Sequence, residues 1–158
     1  MNITLIAIGQ PLRGDDGVGP EAVRQWVREN PQYSSDPKLK TIFTETPGLD
    51  LLDFLQDADV AILVDAVQSA EPAGTVRVHE SLPETGMTPA EKSAHGLGVA
   101  ETIALAKRIG ARLPPRIRFI GVEGSSWGLG ESLSDPVRRA LPEAVREIQN
   151  QIAQWVSE

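Results

Sequence analysis

Ile3–Ile8, reading ITLIAI, runs straight into Gly9–Gly19, reading GQPLRGDDGVG, and this junction decides the fold. A short apolar run with β-branched residues is the composition of a central strand. The glycine-rich turn follows at once. A helical pattern then opens near Pro20, a residue well suited to a first helical turn. A buried strand thus delivers the chain into a turn at the start of a helix, the place where ligands sit in open α/β sheets. The usual guest is a phosphate, drawn by free backbone N–H groups and the positive helix end. Here, however, the turn carries two adjacent carboxylates, Asp15 and Asp16. At low effective dielectric they would repel a phosphate by several kcal/mol, and they would welcome a cation. The Gly9–Gly14 spacing matches the glycines of a P-loop, but Asp15 stands at the lysine position, no Ser or Thr follows, and the G-x-G-x-x-G fingerprint is missing. The turn is suited to hold a metal ion or to do carboxylate chemistry.

Outward from that turn, strand and helix patterns alternate. Ala22, Val23, Trp26 and Val27 give one apolar face to a helix reaching about Glu29. Leu39 to Glu45 reads as a second strand, and a short helix starts near Asp50. Val60–Val67, VAILVDAV, is apolar on both faces, as an interior strand covered by helices must be. Thr75–His79 alternates and reads as an edge strand, antiparallel because the connection from 67 to 75 is too short for a crossover helix. Residues 80–94 lack periodicity and read as a mobile loop, followed by a helix expected to start at His95. Ile117–Val122 is the last strand. Asp135-Pro136 reads as an N-cap and first helical position, and Val137, Leu141, Val145, Ile148, Ile152 and Trp155 form a helical stripe that Pro142 is expected to kink or restart. This alternation predicts a single-domain, three-layer α/β sandwich over residues 1–158, on a mainly parallel five-stranded twisted sheet with helices on both faces.

Composition bounds the function. A chain of 158 residues with 41% hydrophobic residues can bury about two thirds of its unfolded surface. The net charge of −7 argues against nucleic acid and anionic membrane as partners. With no cysteine there is neither a disulfide framework nor a thiolate metal site. The N-terminus shows no secretory pattern and no run approaches a membrane span, so the expected location is the cytoplasm.

Three residues separated in sequence carry the chemistry. Asp65 follows Ile62-Leu63-Val64 near the C-terminal end of the most apolar strand, where a carboxylate must reach a partner, water or a cation. If strands 2–8 and 60–65 are parallel neighbours, their ends open on one crevice and bring Asp65 towards Asp16. Each carboxylate also has a plain structural reading: Asp65 as a cap for a backbone N–H, Asp15 or Asp16 as the closure of an Asx-turn. His95 precedes Gly96 and a helix, where the dipole favours the neutral imidazole that binds metals. His79 reads as structural or solvated, Trp127 as an exposed contact or a cover for the sheet end, and Glu123 as a further ligand candidate. Two carboxylates and an imidazole suit zinc, nickel or a similar divalent ion and leave coordination positions open.

In order along the chain stand G-x4-G-D-D-G-x-G (from Gly9), V-D-A (from Val64), S-x-H-G-L-G (from Ser93), G-V-E (from Gly121) and G-x-G-x-S-L-S (from Gly128). This series resembles the hydrogenase maturation endopeptidases of the HycI, HybD and HoxW type, a phosphorylase/hydrolase-like fold, and the likeness covers nearly the whole chain. The resemblance implies a protease that removes a C-terminal extension from the precursor of a [NiFe]-hydrogenase large subunit after nickel insertion. It implies that Asp16, Asp65 and His95 contact the metal and act in catalysis. Nickel would be recognised in the substrate, not held permanently, and the protein would act as a monomer. Water activation by the bound metal, by one carboxylate or by a carboxylate pair sharing a proton all stay open. So do two other functions on such a scaffold: a nickel-sensing or precursor-escort module that does not cut, and a small-molecule hydrolase. One departure stands out: the family loop usually begins G-x-G-N, where this chain has Ile8-Gly9-Gln10-Pro11.

Overall fold

The computed structural model describes residues 1–45, 48–80, 92–93 and 98–157, the pair 92–93 by its backbone. Along the chain lie β1 (Ile3–Ile8), α1 (Val18–Glu29), β2 (Leu39–Thr44), α2 (Leu49–Leu55), β3 (Val60–Gln68), β4 (Val76–His79), β5 (Lys92–Ser93), α3 (Val99–Arg108), β6 (Arg116–Glu123) and α4 (Asp135–Val156). The sheet order is β2-β1-β3-β6-β4. β2, β1, β3 and β6 run parallel, and β4 lies antiparallel against β6. The expected five strands and their mixed directions are therefore present. A two-residue strand, β5, is added where a loop was expected, pairing antiparallel with Val67 and Gln68 at the end of β3.

Two apolar layers cover the sheet. On one face α1 and α4 pack over Ile3, Leu5, Ala7, Ile62, Val64 and Ile120. On the other, α2 and α3 pack over Ile6, Ile8, Ala61, Leu63 and Phe119. Every residue of β1 is buried, because a strand flanked by strands and covered by helices meets no water. The chain steps from β1 outward to β2, then returns to the opposite side of β1 as β3. That reversal between β1 and β3 is the topological switch point, where neighbouring connections part and leave a crevice.

Several boundaries differ from the sequence reading. Helical turns begin with a 3-10 turn at Gly14–Gly17, and α1 starts at Val18, so Pro20 falls in its first turn, where no N–H is needed. α3 starts at Val99 behind an extended Gly98, not at His95. Ser134, not Asp135, is the residue preceding α4. Pro142 does not restart α4: the helix runs unbroken to Val156, since Pro142 and Arg138 (whose carbonyl loses its partner) both face water.

Candidate functional site

Register sets Asp65 beside the end of β1, the strand that leads into the turn carrying Asp16. Ala7 pairs with Val64, so Asp65, the next residue of β3, stands level with Ile8, the last residue of β1. The 3-10 turn that carries Asp16 packs against β3 as well as α1. Glycine makes this approach possible: a Cβ at Gly19 would stand 2.5 Å from the Val64 carbonyl oxygen and 2.7 Å from that of Ile8. α1 is thereby drawn onto the ends of both strands. The parallel neighbourhood of β1 and β3, expected from fold rules, is what the structure has.

Asp65 is completely buried and pairs across to Gly121 of β6. Strand alternation puts it on the face covered by α2 and α3, in step with Ala61 and Leu63. Asp16 is buried too, and its Oδ2 accepts the Gln10 backbone N–H at 2.8 Å. That donor is backbone, so the bond does not depend on the side chain at position 10. The Gln10 side chain instead accepts from Arg13 Nε at 2.8 Å. Asp16 does not close a local Asx-turn through this bond; the loop folds back so that an earlier N–H meets it.

Asp15 plays a different part. Its carboxylate is fully buried and accepts from Ser125 N–H (2.8 Å), Ser126 N–H (3.0 Å), Ser134 N–H (2.7 Å) and the Ser134 hydroxyl (2.8 Å). Its own N–H donates to the Ser126 carbonyl at 2.7 Å. This one side chain clasps the segment 125–134 down onto the glycine turn. The structural reading of Asp15 holds in kind, but its partners lie more than a hundred residues away rather than in its own turn. Ser134 is engaged here and makes no side-chain cap for α4.

The remaining candidates settle plainly. Glu123 is buried and binds Ser69, accepting its N–H at 2.7 Å and its hydroxyl at 2.8 Å, so it secures the turn after β3. Trp127 is half-buried against the α1/α4 core and covers Gly124 at the sheet end. His79 lies half-buried beside Phe119, ring centroids 5.9 Å apart. His95 lies outside the described residues. Among the described residues no three His, Cys, Asp or Glu side chains group closely enough to hold one ion. Ser93, two positions before His95, pairs with Val67, two positions beyond Asp65. Val67 already pairs with Glu123 of β6 on one side, so β5 occupies the other side, continuing the sheet where β1 has ended. The glycine turn, β5 and the clasped segment 125–134 thus all lie at the C-terminal ends of β1, β3 and β6.

The sequence reading missed the clasp. Ser125, Ser126 and Ser134 carry no local signal of their partner, and only Trp127 and the G-x-G-x-S-L-S segment mark the region.

Comparison with known proteins gives this geometry a context. A family model described as HycI, hydrogenase maturation protease, matches residues 30–151, a span that includes Asp65 and His95. The hydrogenase expression/formation protein HupD of Rhizobium leguminosarum bv. viciae is 29% identical over 157 residues, covering 97% of this chain and 75% of its own. HoxM of Azotobacter vinelandii is 31% identical over 148 residues, covering 92% of this chain and 69% of its own. In fold, the hydrogenase maturating endopeptidase HybD from E. coli superposes with a TM-score of 0.79 at 22% identity, covering 98% of this chain and 93% of that one. The HybD maturation protease from Thermococcus kodakarensis gives 0.71 at 23% identity, covering 96% and 99%. The three-layer sandwich with its mostly parallel sheet is their fold, and the expectation drawn from the motifs is met. With the family model matching well over half of its length, this chain belongs to the hydrogenase maturation protease family.

Proposed function

We propose that this protein is the endopeptidase that removes the C-terminal extension from a [NiFe]-hydrogenase large-subunit precursor after nickel insertion, and that Asp16, Asp65 and His95 read the nickel in that substrate. The observation that supports the reading is the burial of two carboxylates, Asp65 in β3 and Asp16 in the turn that follows β1, beside the switch point between those strands. Two carboxylate oxygens and an imidazole nitrogen form a donor set suited to nickel, with positions left for the substrate's own ligands. Chain connectivity is compatible with this: Ser93 is fixed beside the end of β3, and two residues of chain reach at most about 7 Å. A folded precursor would be recognised by its metal and held with the scissile peptide in the crevice. One of the two carboxylates takes a proton from the attacking water. The water oxygen bonds to the carbonyl carbon, the C–N bond breaks, and the proton passes to the leaving amine.

The test is a processing assay on nickel-loaded precursor with Asp16→Asn, Asp65→Asn and His95→Ala. Each variant is expected to lose at least about 100-fold in cleavage rate, in line with removal of a positioned acid–base group. Release of the extension by Asp65→Asn at the native rate would overturn the assignment. Thermal melts of the variants separate a lost site from a lost fold.

A further inference from the structure

The two most exposed large apolar side chains among the described residues are Leu12, at 72%, and Leu129, at 73%. Neither lies on a helix or strand, and single exposed leucines need no explanation. Their setting does. Leu12 occupies the third position of a turn closed by Arg13 N–H to the Gln10 carbonyl (3.1 Å), with Pro11 at the second. Leu129 occupies the second position of a turn closed by Glu131 N–H to the Gly128 carbonyl (3.1 Å). Gly130, at φ +82°, supplies the third position that a type II turn demands. Such corners favour Gly, Pro, Asn, Asp and Ser, so leucine at both is unexpected on local grounds.

The two turns are also stitched together. Gly130 N–H donates to the Leu12 carbonyl at 2.7 Å, and Gly14 N–H to the Glu131 carbonyl at 2.9 Å. Glu131 accepts from the Ser126 hydroxyl and from Gly128 N–H. Asp15 anchors both turns from below through its four bonds to Ser125, Ser126 and Ser134. The leucines are therefore held out on pre-ordered backbone, Leu12 on the glycine turn that carries Asp16 and Leu129 on the turn bonded to it. A rigid, water-exposed apolar pair continuous with a site is what a docking contact requires, because little ordering remains to oppose binding.

We infer that Leu12 and Leu129 form an apolar lip that grips a complementary apolar surface on the folded large-subunit precursor, next to the segment to be cut. The inference rests on the proposed function and adds to it the means by which a protein substrate is seated before cleavage. The lip is not catalytic; it supplies binding common to the ground and transition states, which appears in KM and not in kcat.

The experiment measures kcat and KM on nickel-loaded precursor for Leu12→Ser/Leu129→Ser and for Leu12→Met/Leu129→Met, with sedimentation of each protein at assay concentration. The serine variant is expected to raise KM about ten- to hundred-fold with kcat within about two-fold, and to keep its melting temperature within about 2 °C. The methionine variant is expected to restore KM to within about three-fold of native, since an unbranched apolar chain fills the same contact. An unchanged KM for the serine variant overturns the inference, as does a methionine variant as weak as the serine one. A change in self-association with KM untouched overturns it too, by making the lip a contact between copies. Failure of the parent reading looks different: Asp16→Asn would then go on processing the precursor.

Discussion

Asp15 and Asp16 are neighbours in sequence and part company in three dimensions. Asp15 points inward and serves the fold; Asp16 sits at the crevice and takes the Gln10 N–H. The distinction follows from where donors are. Bringing segment 125–134 over the turn creates N–H groups and a hydroxyl that have no strand or helix partner, and a buried carboxylate is the one acceptor able to meet all of them. Asp15→Ala leaves these donors unmet in a fully buried place. It is expected to cost about 3 to 5 kcal/mol, with Asp15→Asn in between, measured as a fall in the urea midpoint. Loss of the clasp should also loosen Leu129, so cleavage by Asp15 variants that still fold is expected to fall through KM. Glu123 teaches the same lesson: its position at a strand end suggested a ligand, while its two bonds to Ser69 make it a brace.

Among the elements, α4 shows how far a pattern can be read. Its stripe from Val137 to Trp155 predicts the buried face, and Val137, Val145, Ile148, Ile152 and Trp155 are buried as that stripe requires. α4 meets α1 through Trp26 Nε1, which donates to Gln149 at 2.9 Å, while Arg116 and Arg118 lie over the Trp155 ring at 4.7 and 5.2 Å. Pro142 is expected from sequence to kink or restart the helix, because its ring clashes with the preceding turn and it lacks an N–H. Packing on the sheet outweighs that local cost, and the orphaned carbonyl faces water. The cost remains, so Pro142→Ala is expected to stabilise the protein by up to about 3 kcal/mol, seen as a higher melting temperature with cleavage unchanged. The start of α1 moved for a related reason. The residues before α1 form a 3-10 turn packed on β3, and no local motif records that approach.

At the level of the whole molecule, two apolar layers share one sheet, so neither can come away without exposing the other's strands. All three tryptophans report on a single layer: Trp26 and Trp155 lie in the α1/α4 core and Trp127 packs against it. Far-UV circular dichroism reports on both layers. The urea midpoints from tryptophan fluorescence and from circular dichroism are expected to coincide within about 0.2 M, as a single cooperative unit requires. An earlier dichroism transition would mean that the α2/α3 layer unfolds alone.

Sequence by itself determined the order and kind of the main elements, the parallel core of the sheet and the antiparallel edge. Each of these is written in local periodicity, in glycine and proline placement, or in handedness and connection rules that hold for any α/β chain. Tertiary structure alone decided which of two adjacent aspartates would brace the fold, that β5 would continue the sheet beside β3, and that two leucine-bearing turns far apart in sequence would be bonded to each other. The first and last depend on hydrogen bonds between segments more than a hundred residues apart and the second on the pairing of Ser93 with Val67, and such pairings leave no mark in either segment read alone.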